Sequence, residues 1–333
     1  RTFNIGGTAG ATSTNIFDVT IGTPGTGIVI AAGTDSVDLI GNYNNVNLTG
    51  FTMTLPNSLR TIWGNFTCPT SGGTYTAGTN ATTFVGTTTL TTNNRTLDFP
   101  ITIGNGTSTG TVTLAGNLTL GTTRTFTLTS GTYALANNTT VANVLVSTGT
   151  GTRSFSFGTS GQIILVGSGG TIISMPTATN FSYTGTPKIS SNYTGATGTR
   201  TFALGNTGAF SLGNFFDFNI NGASGIVIST STDTLTVVGQ VGNLDLRNMT
   251  NTITNDAKTV YGSFYTSATG GTFTAGTSVI TLAGYSGSYI IDSANRALDF
   301  PITIDGNGNY TLNNSYICGT STTASTRTVT LNT

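Results

Sequence analysis

The strongest constraint on this sequence is an internal repeat, in which several segments recur in the same order about 200 residues further along the chain. The recurring pairs are GGTYTAGT at 72–79 with GGTFTAGT at 270–277, RTLDFPITI at 95–103 with RALDFPITI at 296–304, and RTFNIG at 1–6 with RTFALG at 200–205. Ordered recurrence at one offset is typical of repeat architectures. We therefore predict a first repeat unit at 1–199 and a second, incomplete unit at 200–333, which together form one continuous solenoid.

A shorter rhythm runs inside the long repeat, in which a polar residue and an arginine precede alternating apolar residues. The arginines that share this pattern are Arg95, Arg124, Arg153, Arg200, Arg296 and Arg327. The step from Arg95 to Arg124 has the same length as the step from Arg124 to Arg153. We therefore predict coils of about 29 residues, each opened by an arginine-led strand, and roughly eleven coils in the chain.

One coil can be traced from Arg124 onward. Phe126 and Leu128 alternate with threonine, Tyr133 and Leu135 follow after a glycine, and a third apolar stretch occupies 141–146 after two asparagines. Alternation bounded by Gly or Asn predicts short strands separated by turns. Three strands per coil predict an all-β parallel β-helix. Tandem β-sandwich domains remain an alternative, since they also alternate, but they do not explain the regular spacing of the arginines.

The composition supports strands and excludes most catalytic chemistry. The chain contains no His and no Glu, so its acidic residues are 11 Asp, and 7% of the residues are charged. Without His there is no Ser-His-Asp or Cys-His arrangement, and the commonest metal ligand is missing. We therefore predict that the chain is not an enzyme and has no cofactor and no metal. A polysaccharide-cleaving pair of aspartates, with Asp35 and Asp38 as candidates, is the remaining enzymatic alternative.

The charge balance and hydropathy also limit the partners. The net charge is zero, with few charges of either sign, so no basic patch for nucleic acid is expected. No apolar run approaches the roughly 20 residues that span a bilayer, so we expect no membrane insertion. The cysteines, Cys68 and Cys318, lie at unrelated repeat positions. They are expected to be free thiols, with an interchain disulfide as the alternative.

An arginine, an aspartate and a proline recur together in the long repeat. The two sets are Arg95, Asp98 and Pro100, and Arg296, Asp299 and Pro301. One interpretation is an exposed arginine at a strand start with an outward aspartate; another is a charge ladder between adjacent coils that sets their stacking register. Proline cannot donate a backbone hydrogen bond, so both prolines are predicted at a corner or an edge.

Three segments carry a resemblance to a known class: NRTLDFPITI, TRTFTLTSGTY, and FSYTGTP followed by GATGTRTFALG. They resemble repeat-bearing β-helical fibre or virion-surface proteins of phages of aquatic bacteria, which are related to β-strand-repeat surface adhesins of bacteria. The resemblance implies a structural role in a virion appendage or extracellular filament, and a location outside the cell or on a virion. It carries over no catalytic residue.

Two classes of function follow as expectations. The leading one is a structural fibre that self-associates, since a solenoid with an incomplete second unit is expected to expose a sticky end. The alternative is a glycan-binding adhesin or receptor-binding phage fibre that contacts a cell-surface glycan. Trp63 and its counterpart Tyr261 are the aromatic candidates for sugar stacking, with packing inside the protein as the competing interpretation.

Overall fold

The computed structural model describes residues 1–5, 16–21, 27–31, 33–177, 179–193, 198–207, 215–267, 269–318 and 327–332. Within these ranges the regular secondary structure is entirely β-strand, so no helix there could cross a membrane. The chain packs as two compact units, Arg1–Val166 with Asn180–Thr186, and Gly167–Thr179 with Pro187–Thr333. The repeat boundary predicted at Arg200 falls inside the second of these units.

The first unit contains short strands of two to six residues. They are β1 (Thr2–Ile5), β2 (Val19–Ile21), β3 (Ile28–Ile30), β4 (Asp38–Tyr43), β5 (Val46–Asn47), β6 (Thr54–Leu55), β7 (Arg60–Ile62), β8 (Phe66–Thr67), β9 (Thr74–Tyr75), β10 (Thr82–Phe84), β11 (Thr88–Thr91), β12 (Thr96–Leu97), β13 (Ile101–Ile103), β14 (Thr111–Ala115), β15 (Leu118–Leu120), β16 (Thr125–Leu128), β17 (Gly131–Ala134), β18 (Thr139–Ala142), β19 (Val144–Val146), β20 (Arg153–Ser156), β21 (Gln162–Leu165) and, after the next strand in the chain, β23 (Phe181–Thr184).

The second unit contains strands of two to nine residues. They are β22 (Gly170–Thr177), β24 (Lys188–Ser191), β25 (Thr199–Thr207), β26 (Phe218–Ile220), β27 (Gly225–Ile228), β28 (Thr234–Val241), β29 (Leu244–Asp245), β30 (Thr252–Ile253), β31 (Lys258–Val260), β32 (Phe264–Tyr265), β33 (Thr272–Phe273), β34 (Ile280–Leu282), β35 (Ser288–Asp292), β36 (Ala297–Leu298), β37 (Ile302–Asp305), β38 (Asn309–Leu312), β39 (Ile317–Cys318) and β40 (Val329–Asn332).

In the first unit, strands from successive coils stack into parallel sheets. The first sheet runs β1-β4-β7-β10-β13-β16-β19, the second runs β23-β20-β17-β14-β11-β8-β5-β2-β3, and the third runs β12-β15-β18-β21, with β6 and β9 as a separate pair. Each strand therefore pairs with a strand three places away in the chain, apart from the neighbours β2 and β3. This is the topology of a parallel β-helix with three strands per coil.

The second unit has the same construction. Its first sheet runs β22-β25-β28-β31-β34-β37-β40, its second runs β24-β27-β26-β29-β32-β35-β38, and shorter pairings join β28 to β30, β30 to β33, and β36 to β39. Every strand pairing that the structure describes is parallel, for example Ile280 with Ile302. The parallel β-helix prediction is therefore confirmed, and the tandem sandwich is wrong, because its sheets would be antiparallel.

The predicted coil length is wrong, because many coils are shorter than the spacing of the arginines. Thr125 in β16 pairs with Val144 in β19, and Gly41, Arg60 and Thr82 pair in succession, so these coils take about 20 residues each. A longer coil in the second unit runs from Arg200 to its partner Leu235. Short coils also raise the number of coils: each unit has seven described strands in its first sheet, where roughly eleven coils were predicted for the whole chain.

The regular spacing of the arginines has a different origin. Arg95 precedes β12 in the third sheet, Arg124 precedes β16 in the first, and Arg153 begins β20 in the second. The step between these arginines is therefore one coil plus one further face. The stretch at 141–146, predicted as one strand, also crosses a corner. β18 ends at Ala142 in the third sheet, and β19 begins at Val144 in the first. The arginines mark corners, and every face begins at a corner.

The core is made of the alternate residues that each strand turns inward. In β16 the sequence TFTL buries Phe126 and Leu128 and leaves the two threonines half-buried on the outside. The Phe126 and Tyr133 rings lie 4.7 Å apart between centroids, and the Tyr133 hydroxyl hydrogen-bonds the Thr140 hydroxyl at 2.7 Å. Such pairs fill the inside of the coil and satisfy the buried phenol.

Candidate functional site: side chains that join successive coils

A ladder of side-chain oxygens runs along one corner of the first unit. The Asp18 carboxylate accepts a hydrogen bond from the Asn45 backbone N–H at 3.0 Å. The Asn45 side-chain oxygen in turn accepts the Asn65 N–H at 2.8 Å, and the Asn65 side-chain oxygen accepts the Thr89 N–H at 2.8 Å. Each bond links one coil to the next. The ladder satisfies backbone donors at a corner, where the sheet hydrogen bonds stop.

The second repeat copy contains the same ladder. Asp217 accepts the Asn243 N–H at 2.7 Å, and the Asn243 side-chain oxygen accepts the Ser263 N–H at 2.7 Å. The Ser263 hydroxyl then accepts the Ile290 N–H at 3.0 Å. The chemistry is therefore shared by the two copies, although serine replaces one of the asparagines.

The arginine at position 95 closes a turn of the preceding coil. Its guanidinium donates to the carbonyls of Gly72 and Gly73, each at 2.7 Å, and lies 6.0 Å from the centre of the Tyr75 ring. Both glycines have positive φ, at 72° and 63°, which leaves their carbonyls turned toward the next coil. The GGTY segment and Arg95, which are separate features of the repeat in the sequence, therefore contact each other in the structure.

Arg296 makes the same contact in the second copy. Its guanidinium donates to Gly270 O at 2.9 Å and to Gly271 O at 2.5 Å, and lies 5.3 Å from the centre of the Phe273 ring. The ring changes from Tyr to Phe between the copies without loss of the arrangement. In both copies the arginine therefore holds the glycine turn of the preceding coil.

Asp98 and Asp299 bind arginines of the following coil. Arg124 Nε lies 2.7 Å from Asp98 Oδ1, and Arg327 Nε lies 2.7 Å from Asp299 Oδ1. The side chains of the first pair are 15% and 40% exposed, against 6% and 10% in the second. The structure therefore brings these four residues together as two separate inter-coil pairs, one in each unit.

Pro100 and Pro301 lie at corners, directly before β13 and β37. Their carbonyls accept the backbone N–H of Thr82 at 3.0 Å and of Ile280 at 3.1 Å in the neighbouring strands of the first sheet. Each proline thus contributes an acceptor to the stack at a position where its own missing N–H costs no sheet bond.

Arg200 forms a buried ion pair with Asp233. Its Nε lies 2.6 Å from Asp233 Oδ2, and both side chains are fully buried. Nη1 of the same guanidinium donates to the Ser191 hydroxyl at 2.7 Å, and the Asn251 amide donates to Asp233 Oδ1 at 2.7 Å. The Ser231 hydroxyl also donates to the carboxylate. The network joins four segments of the second unit.

The equivalent pair in the first copy is Arg1 with Asp35, at 3.1 Å, with side chains 58% and 45% exposed. Asp35, a candidate for glycan cleavage, is thus tied to an arginine. Asp38, its suggested partner, begins β4. Within the described ranges, no group of three or more potential metal-ligating side chains comes together.

Arg153 is fully buried, although its place at the start of a strand gave no sign of this. Its Nε donates to the Ser147 hydroxyl at 2.8 Å, and its guanidinium lies 5.8 Å from the centre of the Phe181 ring. Desolvation by burial lowers its pKa. The cation is held by hydroxyl, carbonyl and ring contacts at a corner.

Sequence reasoning missed the buried cations Arg60 and Lys258, which occupy the same position in the two copies. Burial lowers the pKa of Arg60 to about 10 and that of Lys258 to about 8. Lys258 Nζ donates to Asp256 O at 2.6 Å, and Arg60 donates to Pro56 O and Ser58 O. The shared basic character of RTIW and KTVY was the available signal.

Both aromatic candidates are half-buried and contact other residues of the chain, and the thiol candidate Cys68 is buried. Trp63 Nε1 donates to Asn42 Oδ1 at 3.3 Å, and the Tyr261 ring stacks on Phe215 with 4.5 Å between centroids. Cys68 is buried and free, and burial raises the pKa of its thiol to about 12. The Cys318 side chain lies outside the described residues.

The asparagine ladders, the arginine–glycine contacts and the aspartate–arginine pairs join one coil to the next. Comparison with known proteins gave no matching family model, no matching curated protein and no matching solved structure.

Proposed function

We propose that this chain is a non-enzymatic structural component of an extracellular or virion-associated fibre, built by the stacking of β-helical coils. The observation that supports this best is the use of its ionic and amide side chains. The Asp18–Asn45–Asn65 ladder, the Arg95 contacts and the Asp98–Arg124 pair all bind the next or the preceding coil. A chain whose polar side chains bind the neighbouring coils is suited to form a long and regular stack.

The recurrence of these contacts in both copies also supports a scaffold role. Asp217, Arg296 and Asp299 repeat the arrangements of the first copy about 200 residues further along the chain. A catalytic centre needs one constellation, whereas a scaffold needs the same contact at every coil. The repeat itself is therefore the functional feature of the proposed scaffold.

Electron microscopy of purified protein over a range of concentrations tests the fibre. The expected result is elongated particles that associate into longer assemblies as concentration rises. Compact, monodisperse particles at every concentration would overturn the filament.

The enzymatic alternative has its own measurement. Incubation with a panel of bacterial surface polysaccharides should release no oligosaccharide above a buffer control. Release that is lost in the Asp35→Ala variant would make the chain a depolymerase and overturn the non-enzymatic assignment.

A further inference from the structure

The outer surface of the first sheet carries matching strips of side chains in the two repeat copies. Gly41, Arg60 and Thr82 are aligned in adjacent strands, so the residues directly before them, Ile40, Leu59 and Ala81, lie side by side facing outward. We call these three residues the Leu59 ridge. The alignment follows from parallel pairing, since side chains of one register form a column across the sheet.

The second copy has the same strip with different side-chain sizes. Gly239, Lys258 and Ile280 are aligned in the same way, which places Val238, Ala257 and Val279 in a column. We call these three residues the Ala257 groove. In the first copy a leucine stands in the middle of the column, and in the second an alanine stands at the same place.

The size change converts a projection into a depression. Leu59 is 62% exposed, which is high for a large apolar residue. Around Ala257 the structure has an open cavity of about 460 Å³, and its lining consists of the three groove residues with Gly239, Gln240, Asp256, Lys258, Thr259 and Thr281. The cavity therefore lies at the position that is equivalent, by strand register, to Leu59 in the other copy.

We propose that Leu59 of one molecule inserts into the Ala257 groove of a second molecule of the same chain. The two strips have the same register and complementary sizes, so a leucine enters between Val238 and Val279 as two sheet faces pack. The contact joins different surfaces of the two molecules, and such heterologous contacts produce open chains when they do not close into rings. The inference rests on the proposed fibre and names the surface that extends it.

The electrostatics of the two strips permit this contact. The six ridge and groove residues are uncharged, and the two ionisable residues that also line the cavity, Asp256 and Lys258, are hydrogen-bonded within their own unit. Asp256 at the edge of the groove already accepts a hydrogen bond from the Thr254 hydroxyl of its own unit. The Lys258 amine donates to Asp256 O at 2.6 Å.

Two single variants and their mixture test the contact. Leu59→Asp removes the projection and keeps the groove, whereas Ala257→Leu fills the groove and keeps the projection. By sedimentation velocity each variant alone should associate at least about tenfold more weakly than wild type, the fold-change that matches burial of one leucine. Mixed at equal concentration, they should form one-to-one dimers through the remaining intact pair.

Val29→Asp is the matched control, since Val29 is 52% exposed but lies in the second sheet. It should associate as wild type does, and circular dichroism should show the same strand content for all variants. Wild-type-like assembly of Leu59→Asp, or a mixture that forms no dimers, would overturn the contact while leaving the fibre intact. Wild type that remains monomeric would overturn both the contact and the self-associating fibre.

Discussion

The pairs Arg1–Asp35 and Arg200–Asp233 occupy the same positions of the two repeat copies but lie in opposite surroundings. The first is about half exposed, and the second is fully buried with Ser191 among its partners. An exposed pair exchanges its hydrogen bonds with water, whereas a buried pair depends on its partners alone. The same two residue types are therefore a surface contact in one copy and part of the core in the other.

The largest expected effect comes from Asp233→Ala. It leaves the Arg200 cation buried without its carboxylate, which costs about 3–5 kcal/mol in the free energy of unfolding. Asp35→Ala, at the equivalent exposed site, should cost less than about 1 kcal/mol. Urea unfolding followed by circular dichroism measures both. Equal losses of unfolding free energy at the two sites would show that burial of the ion pair does not determine its contribution to stability.

The next effect separates Lys258 from its counterpart Arg60. The pKa of Lys258 is lowered to about 8 from an ordinary 10.5, so between these values the unfolded chain binds more protons than the folded chain. Stability should therefore rise with pH over this window, by up to about 3 kcal/mol. Arg60, with a pKa of about 10, remains charged through the lower part of the same window.

Urea unfolding of wild type and Lys258→Met at pH 7.5 and pH 9.5 measures this term. The difference in the free energy of unfolding between the two proteins removes the contributions of other titrating groups. One of these is Cys68, whose raised thiol pKa makes stability fall above about pH 9. Wild type should gain stability relative to the variant as the pH rises. A pH-independent difference would mean that Lys258 titrates normally.

A smaller effect compares the two inter-coil ion pairs. Asp299→Asn should cost about 1–3 kcal/mol, because its partner Arg327 is 6% exposed and loses a charged acceptor. Asp98→Asn should cost less than about 1 kcal/mol, since the Asp98 side chain is 40% exposed. Thermal unfolding of the two variants ranks them. The reverse order would contradict the dependence on burial.

The smallest effect concerns a left-handed turn position. Asn93 and Ala294 are equivalent in the repeat and have φ of 49° and 52°. Alanine is strained there, whereas asparagine adopts this region readily, and the Asn93 amide also donates to Cys68 O at 2.6 Å. Ala294→Asn should raise the free energy of unfolding by about 1 kcal/mol, a part of the cost of holding alanine in the left-handed region. Asn93→Ala, the reciprocal variant, should lower the free energy of unfolding. If neither variant changes it, backbone strain at this position does not affect stability.

The fold could be predicted from local signals. Alternation such as TFTL at Thr125–Leu128 identifies an inward and an outward face, and Gly or Asn identifies a turn. The coil length could not be predicted from local signals, because the arginines mark corners on all three faces. Only the pairing of Thr125 with Val144 separates a step of one coil from a step of one coil and a face.

The contacts at the candidate site were partly predictable. The joint recurrence of Arg95 and Asp98 indicated a role in stacking, but their partners, Gly72 and Arg124, lie in the preceding and the following coil. Side chains three residues apart on a strand point to opposite faces, so the arginine and the aspartate were not expected to bind each other. Partner choice in a solenoid depends on the coil above or below.

The sequence by itself determined the repeat, the β-strand class and the absence of His and Glu, because these are properties of residue types and their spacing. The tertiary structure decided which face each strand joins, which cations are buried and where Leu59 projects. These depend on how many residues each corner adds before the chain returns to the same sheet. A small change in the length of a corner leaves the local pattern unchanged but gives every later side chain a new neighbour.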